Sequence, residues 1–350
     1  MKSNKPAVAL IFGGMGREHA VSVSGAPYLY SLIDKDKFSV IPLLIKEDGT
    51  TVYASISPSG KITEGDAAAH IFKMFGRGGV VIDGDFTPLS AAIPLLHGDF
   101  GEDGTVQGAL TLAGIPYIGC DIGAGAICLD KIYTKILAEH LGIPVAKYRY
   151  FTLEKGADED FLRVTDDIEK NLGYPVRIKP ARLGSSVGIS SAGCKEELVS
   201  ALRCAFSAGG GRILAEEFLK VRLEAECACL ITETARLYTD PGTVRTIGGF
   251  YDYEKKYLTK CGTEISPEGK LSKELCELIK KYSRALSELI GIRHLSRIDF
   301  FLTEDERIIF NEINTFPGFT ADSLYPKLIE RAGISPADAI NLMLCEVIGL

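Results

Sequence analysis

Residues 297–320 read RIDFFLTEDERIIFNEINTFPGFT, and the rest of the chain follows from how this stretch folds. Two apolar runs flank the polar TEDER, which predicts a β-hairpin. Asp299, Glu312 and Asn314 interrupt those runs, although Asp and Asn pack poorly on a pleated, half-buried surface. A buried charge without a partner costs several kcal/mol or takes up a proton. With a two-residue tip at Asp305-Glu306, Asp299 faces Glu312 and Arg297 faces Asn314. Residues i and i+2 share a strand face, so all four form a two-by-two patch on one side of the sheet. A tip one residue longer spoils that register.

Two adjacent carboxylates repel unless a cation lies between them or one is protonated. Oxygen ligands with an Asn amide favour Mg²⁺ or Mn²⁺ over zinc. The plainer alternative is a strand end whose charges are simply solvated. Upstream, IKPARLGSSVGIS places Lys179 at a strand end, ahead of Gly184-Ser185-Ser186-Val187-Gly188. Glycines let backbone N–H groups turn toward an anion, and a lysine adds a point charge for phosphate. No G-x-x-x-x-G-K-[ST] motif occurs. Lys131, following Asp130 at a helix start, is a second candidate cation; alone it would read as a solvated helix residue. Metal-type carboxylates and lysines together point to a nucleoside triphosphate.

Composition agrees with an enzyme of this kind. The 350 residues exceed one ordinary core, and 46% apolar content with 37 glycines fits a loop-rich α/β protein. Net charge is −7 with both signs dispersed, and no basic stripe carries aromatics, which argues against nucleic-acid binding. Nine cysteines, an odd number without C-x-x-C, read as reduced thiols of a cytoplasmic protein. AVALIF at 7–12 is too short for a signal peptide, and no run is long enough to span a membrane.

Along the chain, strands at 7–12, 38–45, 79–83 and 91–96 alternate with helices at 19–33 and 105–113, which predicts a parallel sheet with helices on both faces. A helix at 130–141, a glycine-tipped antiparallel hairpin from 173, a helix at 195–207 and a strand at 212–219 predict a second, α+β unit. Strands at 226–232 and 243–250, a helix at 272–290 and the quoted hairpin make a third. There are no internal repeats.

The stretches GGMGREHAVSVSGA, LHGDFGEDGTVQGAL, GIPYIG, CLDKIYTK, IKPARLGSSVGIS, FYDYEKKYL, SRIDFF and NEINTFPGFTADSLYP together resemble the D-alanine–D-alanine ligases of the ATP-grasp group, in the family's order and from end to end. The resemblance implies an α/β (α+β) ATP-grasp fold of three domains: a Rossmann-like parallel-sheet domain over 1–126, a central subdomain with the glycine-rich loop over 127–220, and a C-terminal subdomain with lid and metal site over 221–350. It implies ATP and two Mg²⁺ ions (or Mn²⁺) as cofactors, D-alanine as substrate, and a homodimer. One D-alanine is activated as an acyl phosphate, the amine of a second attacks it, and the dipeptide serves peptidoglycan. Carried over by position, Lys131, Lys179, Ser186 and Lys256 resemble phosphate-contacting residues. Glu216, Glu217 and Leu219 resemble the adenine hinge, and Glu224 the ribose-contacting acid. Asp299, Glu312 and Asn314 resemble the ligands of the two metals. Glu18 would hold the first substrate's ammonium, joined by Ser185 and Tyr257. Arg297 and the Gly318 N–H would stabilise the oxyanion. Ser323 opens a helix whose N-terminus suits the second substrate's carboxylate, and His97 and Leu324 lie near that substrate. The loop around Tyr253–Tyr257 would be a lid.

The chain departs from the pattern in places. Ala20 stands where relatives commonly have Glu, and Thr111 likewise. VRLEAE fits the hinge only with one inserted residue, and Val221 replaces the usual glycine. The segment 258–271 is not a close match. An apolar Leu324 and an intact Lys256-Tyr257 lean toward D-alanine as second substrate. The competing readings are a D-alanine–D-serine ligase of the vancomycin-resistance type, a catalytically silent homologue, and a dinucleotide-dependent oxidoreductase. The last needs G-x-G-x-x-G/A, but His19 follows Gly14-Met15-Gly16-Arg17-Glu18.

Overall fold

The computed structural model describes residues 5–71, 78–246 and 263–350. The first unit is a seven-stranded sheet of β1 (Ala7–Gly13), β2 (Ser39–Ile45), β3 (Thr51–Ile56), β4 (Ile62–Ile71), β5 (Gly79–Ile82), β6 (Asp85–Pro88) and β7 (Ala91–Leu95), in the order β6-β5-β4-β3-β2-β1-β7. β1 runs parallel to β2 and β7, as expected of an alternating pattern. Beyond β2 the sheet continues as antiparallel pairs, and the connections at 46–50, 57–61 and 83–84 are polar and too short for a crossover helix. Helix α1 (His19–Leu32) covers one face, packing Ala26 and Leu29 on Val8, Leu10 and Phe12. Helix α2 (Thr105–Ala113) covers the other, packing Leu110 and Ala113 on Ala9 and Ile11. Helix α3 (Ile122–Leu129), capped by Asp121, leads out of this unit.

The second unit holds α4 (Lys131–His140), β8 (Tyr148–Thr152), α5 (Asp158–Asn171), β9 (Val176–Pro180), β10 (Ser190–Ala192), α6 (Lys195–Gly209) and β11 (Arg212–Glu217). Its antiparallel sheet runs β10-β9-β11-β8. One face, with Val176, Ile178, Ile213 and Ala215, packs on Phe161, Val164 and Ile168 of α5 and Leu198 and Leu202 of α6. The opposite face presents Lys179 and Glu216, with Leu214 between them against Ile132 of α4.

The third unit is β12 (Val221–Ile231), β13 (Arg236–Tyr238), β14 (Gly242–Thr246), β15 (Thr263–Ser266), α7 (Lys273–Ile290), β16 (His294–Thr303), β17 (Ile308–Asn314), α8 (Leu324–Arg331) and α9 (Pro336–Ile348). Its antiparallel sheet runs β15-β14-β12-β16-β17, with β13 on β12. Ala225, Cys227, Cys229, Ile298, Phe300, Leu302, Phe310 and Ile313 form its apolar face with Ile279 and Leu286 of α7, so the closest cysteine pair is core. Phe316, Phe319, Leu324 and Tyr325 belong instead to the core under α1, so the segment after β17 is packed into the first unit. Among the described residues no helix is long and apolar enough to cross a membrane.

The hairpin tip is one residue longer than expected. Thr303 and Arg307 pair across three loop residues, with Glu306 in the left-handed region at φ 62°. Near the tip Phe300 therefore faces Phe310. A β-bulge then places an extra residue, Asn311, between that pair and the next, and Asp299 faces Glu312 and Arg297 faces Asn314 after all. The expected register holds at the charged residues by a different route: the bulge corrects what the tip displaces. A second bulge lies at Arg222, between Val221↔Thr303 and Leu223↔Leu302, within VRLEAE.

Candidate active site

The polar face of the third sheet carries Arg297, Asp299, Glu312 and Asn314 as a contiguous patch. Arg297 donates to Asp299 through Nε and a terminal nitrogen, both at 2.8 Å, and Asn314 Nδ2 donates to Asp299 Oδ2 at 2.9 Å. Glu226 of β12, opposite Asp299, lies 3.0 Å from Arg297 Nε. Asp299 is only 2% exposed, so these charges are stabilised by one another and not by bulk water.

Lysines from the second unit meet this patch. Asp130 caps α4 by accepting from Ile132 N at 3.0 Å, and Arg182 Nε and Arg212 Nε also donate to it, at 2.9 and 2.6 Å. That fixes the start of α4 and aims Lys131 at Glu312 Oε2, 3.0 Å away, while Lys131 Nζ also donates to Leu183 O at 2.8 Å. Lys179 Nζ lies 2.6 Å from Glu216 Oε2, and Lys135 is ion-paired to Glu216 Oε1. Lys179 also donates to Asn311 Oδ1 at 3.4 Å. Burial alone would raise the Glu216 carboxyl, but Lys135 and Lys179 overcome it and hold the group at about 2. Burial draws Lys179 below the ordinary lysine value.

Two cavities adjoin these groups. One of about 620 Å³ lies between the second and third units, lined by Arg177, Lys179, Glu216, Leu219, Glu224 and Phe301 among others. Glu217 also lines it, and its Oε1 accepts from Lys147 N at 3.0 Å. The other, of about 170 Å³, brings together Glu18, Glu102, Lys131, Ser185, Glu226, Arg297, Glu312, Asn314, Gly318, Ser323 and Leu324. The glycine-rich loop reaches over it. Ser185 Oγ is hydrogen-bonded to Glu18 Oε1, and Ser185 and Ser186 are both left-handed, at φ 52° and 60°. Such φ values in non-glycine residues cost about 1 kcal/mol or more each and collect at ligand sites. Gly98, at φ 62°, adopts a conformation that favours glycine, and a Cβ there would displace the Glu18 carboxylate.

The floor of the smaller cavity is tied to the first unit. Glu102 accepts from Gly98 N and Phe316 N, both at 3.0 Å. Its burial raises its carboxyl above the usual range, with His97 offsetting part of the rise and the Glu18 charge adding to it. His97 Nδ1 lies 3.0 Å from the Phe316 carbonyl, so His97 acts on the loop carrying Gly318. Ser323 stands at the N-cap position of α8 without a side-chain capping bond; it shares hydrogen bonds with Thr320, and its Oγ lies beside Gly318.

The structure thus brings together Glu18, Ser185, Arg297, Gly318, Ser323 and Leu324 with Lys131, Glu312 and Asn314, and places Lys179, Glu216, Leu219 and Glu224 around the larger cavity. Lys256, Tyr257 and the rest of the expected lid lie outside the described residues. Lys135, Glu102, Glu226 and Asn311 were not foreseen. Glu226 was within reach, since it shares a strand face with Glu224.

Comparisons with known proteins cover nearly the whole chain. The family model "D-ala D-ala ligase C-terminus" matches residues 137–345 and "D-ala D-ala ligase N-terminus" matches residues 7–120. The chain is 37% identical to a D-alanine–D-alanine ligase of Caldicellulosiruptor bescii, covering 97% of this chain and 94% of that one. It is 38% identical to one of Ruminiclostridium cellulolyticum, covering 97% and 95%. Among solved structures, D-alanyl-alanine synthetase A of Vibrio cholerae superposes with a TM-score of 0.85 at 28% identity, covering 99% of this chain and 100% of that one. The VanG D-Ala:D-Ser ligase of Enterococcus faecalis superposes at 0.84 with 30% identity, covering 99% of each. With both family models matched in order along the chain and curated relatives 37–38% identical over most of its length, the chain belongs to the D-alanine–D-alanine ligase family.

Proposed function

We propose that this chain joins two D-alanine molecules at the expense of ATP. The observation that carries the reading is the meeting of Arg297, Asp299, Glu312 and Asn314 with Lys131 beneath the Glu18–Ser185 contact. ATP lies in the larger cavity, with adenine and ribose along Glu216, Glu217, Leu219 and Glu224 and the phosphates toward Lys179, Lys131 and the Ser186 loop. The carboxylate of the first D-alanine, its ammonium held by Glu18, attacks the γ-phosphorus, and ADP leaves with the electron pair of the broken P–O bond. The amine of the second D-alanine then attacks the acyl carbon of that acyl phosphate. Phosphate leaves, the amine gives up a proton, and the dipeptide remains.

Arg297 and the Gly318 N–H stabilise the oxyanion that forms in this second step, and the Ser323 end of α8 receives the second carboxylate. Asp299, Glu312 and Asn314 offer only oxygen donors, a set that fits Mg²⁺ or Mn²⁺. When bound, such ions neutralise charge on the transferring phosphoryl group. Leu324, buried and apolar, favours D-alanine over D-serine as the second substrate. The lid residues Lys256 and Tyr257 and a homodimer belong to the same proposal, and light scattering measures the latter.

The test is phosphate release with ATP and Mg²⁺, comparing D-alanine alone with D-alanine plus D-serine or D-lactate, with products identified by mass. D-alanyl-D-alanine as the main product supports the reading. A dominant D-alanyl-D-serine product moves the assignment to the VanG type, and nucleotide binding without turnover makes the chain a silent homologue.

A further inference from the structure

Helix α4 presents two lysines one turn apart. Lys131 meets Glu312, whereas Lys135, 1% exposed, meets Glu216 of the second sheet. Glu216 therefore spends one carboxylate oxygen on Lys135 and the other on Lys179. Glu216 and Lys179 are themselves nearly as buried, so solvent screens little of this. Two ammonium groups around one carboxylate leave a net charge of +1, and Lys179 is the member that also lines the larger cavity. With Lys135 absent, the same carboxylate would neutralise Lys179 alone, and an incoming phosphate would have to break a closed, buried ion pair.

We infer that Lys135 is a positioning residue for the nucleotide's phosphates: it occupies Glu216 so that the charge of Lys179 is left for the polyphosphate. The inference rests on the nucleotide reading above and deepens it. Lys135 itself need not touch the nucleotide. Its role is to set the charge balance of a cluster contributed by α4, β9 and β11, while Glu216 keeps its place against the cavity.

Calorimetric titration of the purified full-length protein with ATP, ADP and adenosine tests this, together with steady-state kinetics. Lys135→Met should weaken ATP and ADP by about tenfold or more, the scale on which one charge biases another within ~4–6 Å. Adenosine, which has no phosphates, should bind as before, and KM should rise for ATP and not for D-alanine. Lys135→Arg, which keeps the charge, should retain most of the ATP affinity. The double variant K135M/E216Q should recover much of what K135M loses, because removing the carboxylate again leaves Lys179 uncompensated. Equal losses for adenosine and ATP, or no recovery in the double variant, would overturn the inference and make Lys135 a packing residue. A parent protein that binds adenosine and ATP equally would overturn it too. A parent that binds no nucleotide sinks the functional reading itself, and the inference falls with it. Should K135M fail to fold, the Arg and double variants still decide: both must bind ATP more tightly than adenosine.

Discussion

The two faces of the β12–β16–β17 sheet are made by the same strands and differ in every other residue. One face holds Ile298, Phe300, Leu302, Phe310 and Ile313 under α7. The other holds Arg297, Asp299, Glu312, Asn314 and Glu226, and Asp299 and Glu226 are as hidden from solvent as many core residues. Burial is thus common to both faces, and only the means of satisfying it differs. The apolar face gains by removing hydrocarbon from water. The polar face offsets desolvation by pairing each charge with a neighbour, and such a face is weak evidence for stability. The first face should set how firmly the chain folds, and the second what it does.

That division can be broken experimentally. The largest effect is expected on the apolar side: Phe300→Ala should cost about 3–5 kcal/mol of stability by chemical denaturation, leaving the turnover of the folded fraction near that of the parent. Asp299→Asn on the opposite face should lower turnover by about a hundredfold or more, a loss that persists in the folded fraction, although removing one partner of the buried Arg297 pair also lowers the denaturation midpoint. Loss of folding in the second variant and loss of turnover in the first would sink the comparison. Leu324→Arg should shift the ratio of D-serine to D-alanine incorporation by about 1–3 kcal/mol, read by mass analysis of mixed-substrate reactions.

The smallest effect concerns pH. Glu216 is held below its ordinary value, so its contribution to stability is present above the usual carboxylate range and is lost as pH falls from about 4.5 toward about 2. Thermal melts of the parent and Glu216→Gln across that window should converge at the acid end. Parallel curves would mean that Glu216 contributes nothing to acid lability.

Much of this was legible in the residues because a strand's side-chain period is two. Charges placed two apart in an apolar run declare a polar face, and that is how Arg297, Asp299, Glu312 and Asn314 were found. What escaped depends on three-dimensional company. Lys135 sits on an amphipathic helix, where a lysine ordinarily reads as solvated, and only the approach of β11 buries it. Glu102 lies in a loop whose partners, Gly98 and Phe316, come from different units. Helix α5 was missed although Phe161, Val164, Thr165 and Ile168 are all buried at helical spacing. The antiparallel extension of the first sheet was read as parallel because β3 and β6 are short and partly polar and gave no signal of their own.

The bulge at Asn311 divides the hairpin into a part where chain length is free and a part where it is counted. Between Thr303 and Arg307 the loop is exposed, and a residue gained or lost there need only be taken up in the turn. Deleting Asn311 would remove the bulge and leave Phe310 opposite Phe300 and Glu312 opposite Asp299 in an unbroken ladder, whereas deleting Ile313 would turn Asn314 toward the apolar face. A peptide tag is therefore best inserted at Asp305, whereas a single missing codon at position 313 would turn the end of the polar face inside out without altering composition by more than one isoleucine.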